Sequence, residues 1–372
     1  MRDFSSVKRV VIKIGTNLLS SKDGIDSDRI RDIARQIAYL REKGVQVLLV
    51  SSGAVGLGAK ALKHTSPVVY IAMRQACAAI GQPMLMKAYQ EAFSSHDLLC
   101  AQVLITRSVL NNRKSYINLR QSVSTLIALG VIPVFNENDT VSTSEIGNVF
   151  GDNDRMSALV ASKIDADLLI LLTDIDGVYT GNPKKDKDAV RLGTIEELTP
   201  EIYSYAKGAG SAFATGGMKT KLLAADIARK GGCGTVIASG YEKDSVIRIL
   251  EGEEIGSYIL PSKRLTQKER WIINNSHVGS ISIDQGAVKA LRNHKSLLPS
   301  GITAISGVFE EGDVVAIKDP EGRIFAKAVP YFSSTELDRI QGHSSSDIQA
   351  LLGEGRKDVI FRPEDLVFID ND

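Results

Sequence analysis

Apolar residues recur along the chain in two rhythms before residue 259. Short unbroken runs rich in Val, Ile and Leu, namely 8-KRVVIKIG-15, 45-VQVLLVSSG-53, 131-VIPVFNEND-139, 167-DLLILLTD-174 and 235-TVIASG-240, each break into glycine or polar residues. In 27-SDRIRDIARQIAYLREKG-44, by contrast, Ile30, Ile33, Ile37 and Leu40 fall at helical spacing, with Asp26 or Ser27 to cap the start and Gly44 to end it. Further helices are predicted over 113–129, 154–165 and 217–230. Unbroken apolar strands alternating with amphipathic helices predict an α/β fold, an open and mostly parallel sheet sandwiched by helices. Ligands of such sheets sit beyond the carboxyl ends of the strands. That is where the polar clusters GTN, SSGA, NEND and TDIDG fall.

The pattern changes after residue 258. The stretch 259-ILPSKRLTQKER-270 is polar and charged and reads as part of a linker. Beyond it come short runs with turn signals: 279-GSISIDQGA-287, 312-GDVVAIKDPEGRIFAKAV-329 and 365-DLVFI-369. DPEG between two alternating runs predicts a β-hairpin. The expected division is a first domain over 1–258, a linker over 259–275 and a smaller β-rich domain over 276–372.

Composition narrows the partners. A chain of 372 residues can bury two cores, and its formal net charge of +1 supplies no general attraction to nucleic acid or anionic membrane. Residues 276–372 are acidic in balance, with 10 Lys and Arg against 15 Asp and Glu. The opening MRDFSSVKRVVIKIG makes a poor signal peptide, and no apolar run approaches the ~18 residues of a membrane span. Three widely spaced cysteines fit thiols in a reducing compartment better than a disulfide frame or a zinc site, and the five histidines show no metal-ligand spacing. The expectation is a cytoplasmic enzyme that does not span a membrane.

The chemistry gathers at a few places. In 213-FATGGMKTKLLAADIARKGG-232, TGGMKTK resembles a Walker A loop, but Met218 separates Gly217 from Lys219, so the register fails. Its glycines still permit close backbone approach, and the helix that follows presents its positive end to an anion. Lys221, one turn in, can point back to the same place, whereas Lys219 can be a solvated helix lysine. Lys13 lies inside an apolar strand, where an ammonium group is not buried unpaired; it faces a ligand or a carboxylate unless the strand starts late. Between a strand and a helix, 136-NENDTVSTSEIGNVFGDNDRMSALVA-161 holds more carboxylates and amides than a helix cap needs. The stretch 173-TDIDGVYTGNP-183 is either a nucleotide-edge loop or a plain surface excursion. No Ser-His-Asp set, HExxH, GxGxxG after the first strand or protein-kinase set is present. Two placed lysines and glycine-rich turns suit phosphoryl transfer, which is largely positioning and charge stabilisation. A carboxylate acceptor would need no general base, being ionised already.

Taken in order, VVIKIGTNLL, LLVSSGAVGLG, PVFNENDTV, GDNDRMSALVA, LLTDIDGVYTGNP and FATGGMKTKLLAAD resemble the amino acid kinase family, and the tail is similar to a PUA domain. Single motifs are weak; six in sequence are specific. The resemblance implies ATP-dependent phosphorylation of the γ-carboxylate of L-glutamate on the route to proline. It implies that Lys13 and Lys221 flank the transferring phosphoryl group and that Asp154 orients them. Ser52, Asp139 and Asn153 would hold glutamate, Asp139 taking the α-ammonium group. Thr173 and Asp174, with Thr215, Gly216, Gly217, Met218, Lys219, Thr220 and Lys221, would hold ATP, and Lys13 would touch it too. Mg²⁺ would ride on the phosphates. Feedback inhibition by proline and a homo-oligomer, a tetramer for instance, are further implications.

Two alternatives have different signatures. PUA modules elsewhere bind RNA, but an RNA-binding module normally carries a basic footprint, which the acidic balance of this tail argues against. Within the enzyme class, the competing acceptors are aspartate and N-acetylglutamate.

Overall fold

The computed structural model describes residues 2–21, 24–64, 66–141, 153–183, 185–206, 217–262 and 266–369. The chain divides into two compact units, Met1–Arg264 and Leu265–Asp372.

The first unit is built on an eight-stranded sheet. In chain order its strands are β1 (Arg9–Ile14), β2 (Gln46–Val50), β3 (Cys100–Ile105), β4 (Ile132–Glu137), β5 (Leu168–Thr173), β6 (Thr194–Ile195), β7 (Gly234–Ser239) and β8 (Ser257–Ile259). Across the sheet they run β6-β8-β7-β5-β1-β2-β4-β3. Every pairing is parallel except that of β7 with β8. From β1 the chain moves outward first to β2 and later, in the other direction, to β5. The switch point between β1 and β5 opens a crevice at their carboxyl ends.

Side-chain alternation sorts the strands between two cores. Val10, Ile12 and Ile14 of β1 and Leu168, Ile170 and Leu172 of β5 pack with α1 (Ser27–Glu42) on one face. Val11, Leu169 and Leu171 pack on the other. That face is covered by α4 (Arg113–Ala128), α5 (Asn153–Lys163) and α6 (Met218–Lys230). Two further helices, α2 (Ala54–Ala61) and α3 (Ile71–Ser94), pack together very closely. A Cβ at Gly58 would stand 1.8 Å from the Cys77 carbonyl oxygen, and one at Gly81 would stand 1.9 Å from that of Ala54. Only glycine fits these crossings.

In the first unit the predicted helices fall within two residues of their expected ends and the predicted strands within three. Helix α3 and strands β3, β6 and β8 were not anticipated. Pro83 lies inside α3, where the sequence reads as a helix break, and the apolar residues of the helix follow no single stripe, which hides its period.

The second unit holds a five-stranded sheet of β9 (Gly279–Ile283), β10 (Ile302–Ser306), β11 (Val315–Lys318), β12 (Ile324–Ala328) and β13 (Leu366–Phe368), in the order β10-β9-β11-β12-β13. Strands β11 and β12 form the antiparallel hairpin expected around DPEG. The stretch 259–275, expected to be a linker, contains structure at both ends. Ile259 closes β8, and Gln267–Asn274 form α7, started by a capping box between Thr266 and Glu269. Polarity alone does not distinguish a capped surface helix from a linker.

Candidate active site

Strand β1 delivers its one charged inward residue to the crevice. Because side chains alternate, Lys13 lies on the same face as Val11, beneath α5 and α6, and it is 7% exposed. Asp154 stands in the first turn of α5, where a carboxylate is favoured by the free N–H groups of the helix end. On α6, Met218, Lys221, Leu222 and Ala225 form the buried stripe, so Lys221 faces inward and Lys219 faces solvent.

These elements converge on one carboxylate. Lys13 Nζ lies 2.6 Å from Asp154 Oδ1, and Lys221 Nζ donates to Asp154 Oδ2 at 3.0 Å. Thr220 Oγ1 lies 3.3 Å from the same Oδ2 and donates to the Gly217 carbonyl at 2.8 Å. Burial pushes the Asp154 carboxyl up, but the nearby ammonium groups of Lys13 and Lys221 outweigh it and hold the group below the usual carboxylate range. Two lysines and one aspartate sum to one positive charge in a place almost closed to water. An anion is the natural complement.

Beside this centre lies a cleft of about 230 Å³, lined by the turn Ser52–Gly56, by Asn136 and Glu137 at the end of β4 and Asp139 just beyond it, and by Thr16, Arg74 and Asn153. Gly53 caps α2 with φ of +97°, a left-handed turn that glycine allows without strain. The first N–H groups of α2 therefore head the cleft. Asn153 Nδ2 donates to the Ser51 carbonyl at 2.7 Å and to Ser52 Oγ at 2.8 Å. The cleft thus offers N–H donors at one wall and two carboxylates at another.

Across the switch point, Thr173 ends β5 and is buried, while Asp174 is exposed. Asp174 accepts from Asn17 Nδ2 and Thr173 Oγ1, both at 3.0 Å. Burial raises its pKa, but these hydrogen bonds, with Lys221 nearby, bring the net shift below the usual carboxylate value.

Of the residues singled out in the sequence, Lys13, Lys221, Asp154 and Thr220 meet directly, and Ser52, Asp139 and Asn153 share the cleft. Gly217 is the N-cap of α6. Met218 buries its side chain in the core, which leaves only its backbone for a ligand. Exposed Lys219 is not brought to the Asp154 centre. Thr215 and Gly216 lie outside the described residues. Sequence reasoning missed Arg74 and Gln82 and marked Thr16 and Asn136 only as members of the GTN and NEND clusters. Asn136 belongs to the NEND cluster and was within reach of the same argument; Gln82 carries no local signal at all.

A compact positive centre beside an acidic, glycine-rimmed cleft, at the switch point of a parallel sheet, is the layout of a small-molecule phosphotransferase. Residues 8–239 match the amino acid kinase family, and residues 279–352 match the PUA domain. The chain belongs to the amino acid kinase family and carries a PUA domain after its kinase part. A glutamate 5-kinase of Methanosarcina barkeri is 41% identical over 99% of this chain and 98% of its own length. One from Methanococcoides burtonii is 44% identical over 96% of both, and one from Syntrophotalea carbinolica is 43% identical over 98% of both.

Proposed function

We propose that this protein transfers the γ-phosphoryl group of ATP to the γ-carboxylate of L-glutamate, making L-glutamyl 5-phosphate for proline biosynthesis. The observation that carries the reading is the buried Lys13–Asp154–Lys221 centre, with its surplus positive charge beside a cleft suited to an amino acid. Full-length likeness to glutamate 5-kinases supports the choice of acceptor.

In this mechanism glutamate lies in the cleft, its α-ammonium group against Asp139 and its γ-carboxylate towards Ser52 and Asn153. ATP lies over the ends of β5 and α6, with Thr173, Asp174 and the α6 N-terminus holding it. Lys13 and Lys221 stabilise charge on the phosphoryl oxygens during in-line transfer. Asp154 keeps both ammonium groups in place before the nucleotide arrives. The acceptor is already ionised, so no base is required.

Mg²⁺ fits as a companion of the nucleotide. Among the described residues no group of three or more His, Cys, Asp or Glu is placed to hold an ion, and Asp154 is engaged by two lysines. Asp174, ionised and exposed, is the carboxylate suited to a hydrated ion. When bound, Mg²⁺ neutralises phosphate charge.

The reading extends to a cytoplasmic location, consistent with three free cysteines and with no described helix long and apolar enough to cross a membrane. It extends also to a homo-oligomer built through the first unit, where Val69 and Tyr70 are exposed beside α3. Proline, which shares the ammonium and carboxylate of the substrate, is the expected inhibitor. A coupled ADP-release assay comparing glutamate, aspartate and N-acetylglutamate tests the proposal. Glutamate should give the highest kcat/KM; preference for either competitor would reassign the acceptor.

A further inference from the structure

We propose that Gln82, which is not part of the cleft wall, holds the hydrogen-bond network on the amino-acid side of the site in place by giving the buried Asn136 Nδ2 its acceptor. The inference rests on the glutamate reading above.

The close crossing of α3 over α2 at Gly81 seats Gln82 in the interior, 8% exposed. Gln82 Oε1 accepts from Asn136 Nδ2 at 2.7 Å. Asn136 Oδ1 accepts from the Glu137 N–H at 2.9 Å and from Asn153 Nδ2 at 3.2 Å. Asn153 Nδ2 in turn shares its two hydrogens among Asn136 Oδ1, the Ser51 carbonyl and Ser52 Oγ. Three amide side chains thus link α3 to the floor of the cleft.

A side-chain amide turned end for end keeps its shape while exchanging donor for acceptor. The direction of such a chain therefore needs outside references, and two backbone groups supply them. The Ser51 carbonyl only accepts, so Asn153 must present Nδ2 to it. The Glu137 N–H only donates, so Asn136 must present Oδ1. Asn136 Nδ2 then faces Gln82, which must present Oε1. Ser52 Oγ accepts a hydrogen bond from Asn153, so its own proton is directed elsewhere. Ser52 lines the cleft, so that proton is available to a substrate carboxylate.

Gln82 is on this account a positioning residue. Without its oxygen, Asn136 Nδ2 is buried with no acceptor. Turning Asn136 to escape would set its donor end against that of Asn153. Either outcome disturbs the Ser52 hydroxyl while leaving the lysine centre intact.

Gln82→Met keeps the side-chain length and removes the acceptor. The expected result is a glutamate KM raised roughly 10-fold or more, the size of one buried donor left unsatisfied. KM for ATP and kcat at saturating glutamate should stay within about threefold, since uniform binding of one substrate is what is lost. Gln82→Glu, which retains an acceptor oxygen, should restore most of the affinity. In a Ser52→Ala background, adding Gln82→Met should raise glutamate KM little further, because both act through one group. Gln82→Ala serves the same tests if the methionine variant does not fold. Parental glutamate KM, an equal rise in ATP KM, or fully multiplicative effects with Ser52→Ala would overturn the proposal. A parent enzyme that does not phosphorylate glutamate would remove the underlying reading, and this proposal with it.

Discussion

Lys13 and Lys221 hold opposite oxygens of a single carboxylate, Asp154, from a strand and a helix far apart in the chain. Each lysine is buried only because the other elements supply a counter-charge. The proposed catalytic centre is therefore also a packing centre, and its variants should show both faces.

Removing either ammonium group should affect turnover most. For Lys221→Met the expected fall in kcat is ~100-fold or more, the usual scale for a lost charge-stabilising donor. Lys219→Met, exposed on the same helix, should cost at least about 10-fold less than that, as expected of a solvated charge. Steady-state kinetics on the two folded variants checks the ranking; equal effects would contradict the assignment of Lys221.

Asp154→Asn leaves two buried ammonium groups without their shared carboxylate. A loss of ~3–5 kcal/mol in stability is expected, as for other broken buried ion pairs, together with a fall in kcat. The sign with pH follows from the lowered pKa of Asp154. Its stabilising contribution is present above the unfolded carboxyl value and is lost as pH falls through the lower folded one. Thermal melts of parent and variant should therefore converge as the solution is made more acidic.

Asp139→Ala should chiefly raise glutamate KM, with little change in KM for ATP. Asp139 lines the cleft in which glutamate is proposed to lie. An unchanged glutamate KM would place the ammonium group elsewhere.

Lys163 lies outside the proposed chemistry and makes a separate test of the electrostatics. Its ammonium group donates to the Leu110 carbonyl at 2.9 Å and sits over the Tyr116 ring, and burial lowers its pKa to about 7. The unfolded chain therefore binds more protons between about pH 7 and pH 10.5, so parent stability should rise with pH across that window. Lys163→Met should flatten the rise; chemical denaturation at several pH values reads it directly.

Much of this was legible in the sequence because strands buried on both faces are nearly all apolar. A lysine in such a strand stands out, and Lys13 needed no further context to be marked. Lys221 and Lys219 are told apart by the stripe that the fold buries, Met218, Lys221, Leu222 and Ala225. What could not be read was anything that depends on a crossing. Helix α3 has no clean stripe, so neither its close approach at Gly81 nor the seat it gives Gln82 was visible. Arg74 reaches the cleft from the same helix and was missed for the same reason. Asp154 stands in sequence within a cluster that holds more carboxylates and amides than a helix cap needs. Only the fold brings two lysines to it.

The most direct measurement is to run the reaction with glutamate and ATP in the presence of hydroxylamine and identify the trapped product by mass spectrometry. Transfer to the γ-carboxylate predicts L-glutamate γ-hydroxamate in amounts matching the ADP formed. ADP release without a hydroxamate, or a hydroxamate at the α-carboxylate, would contradict it.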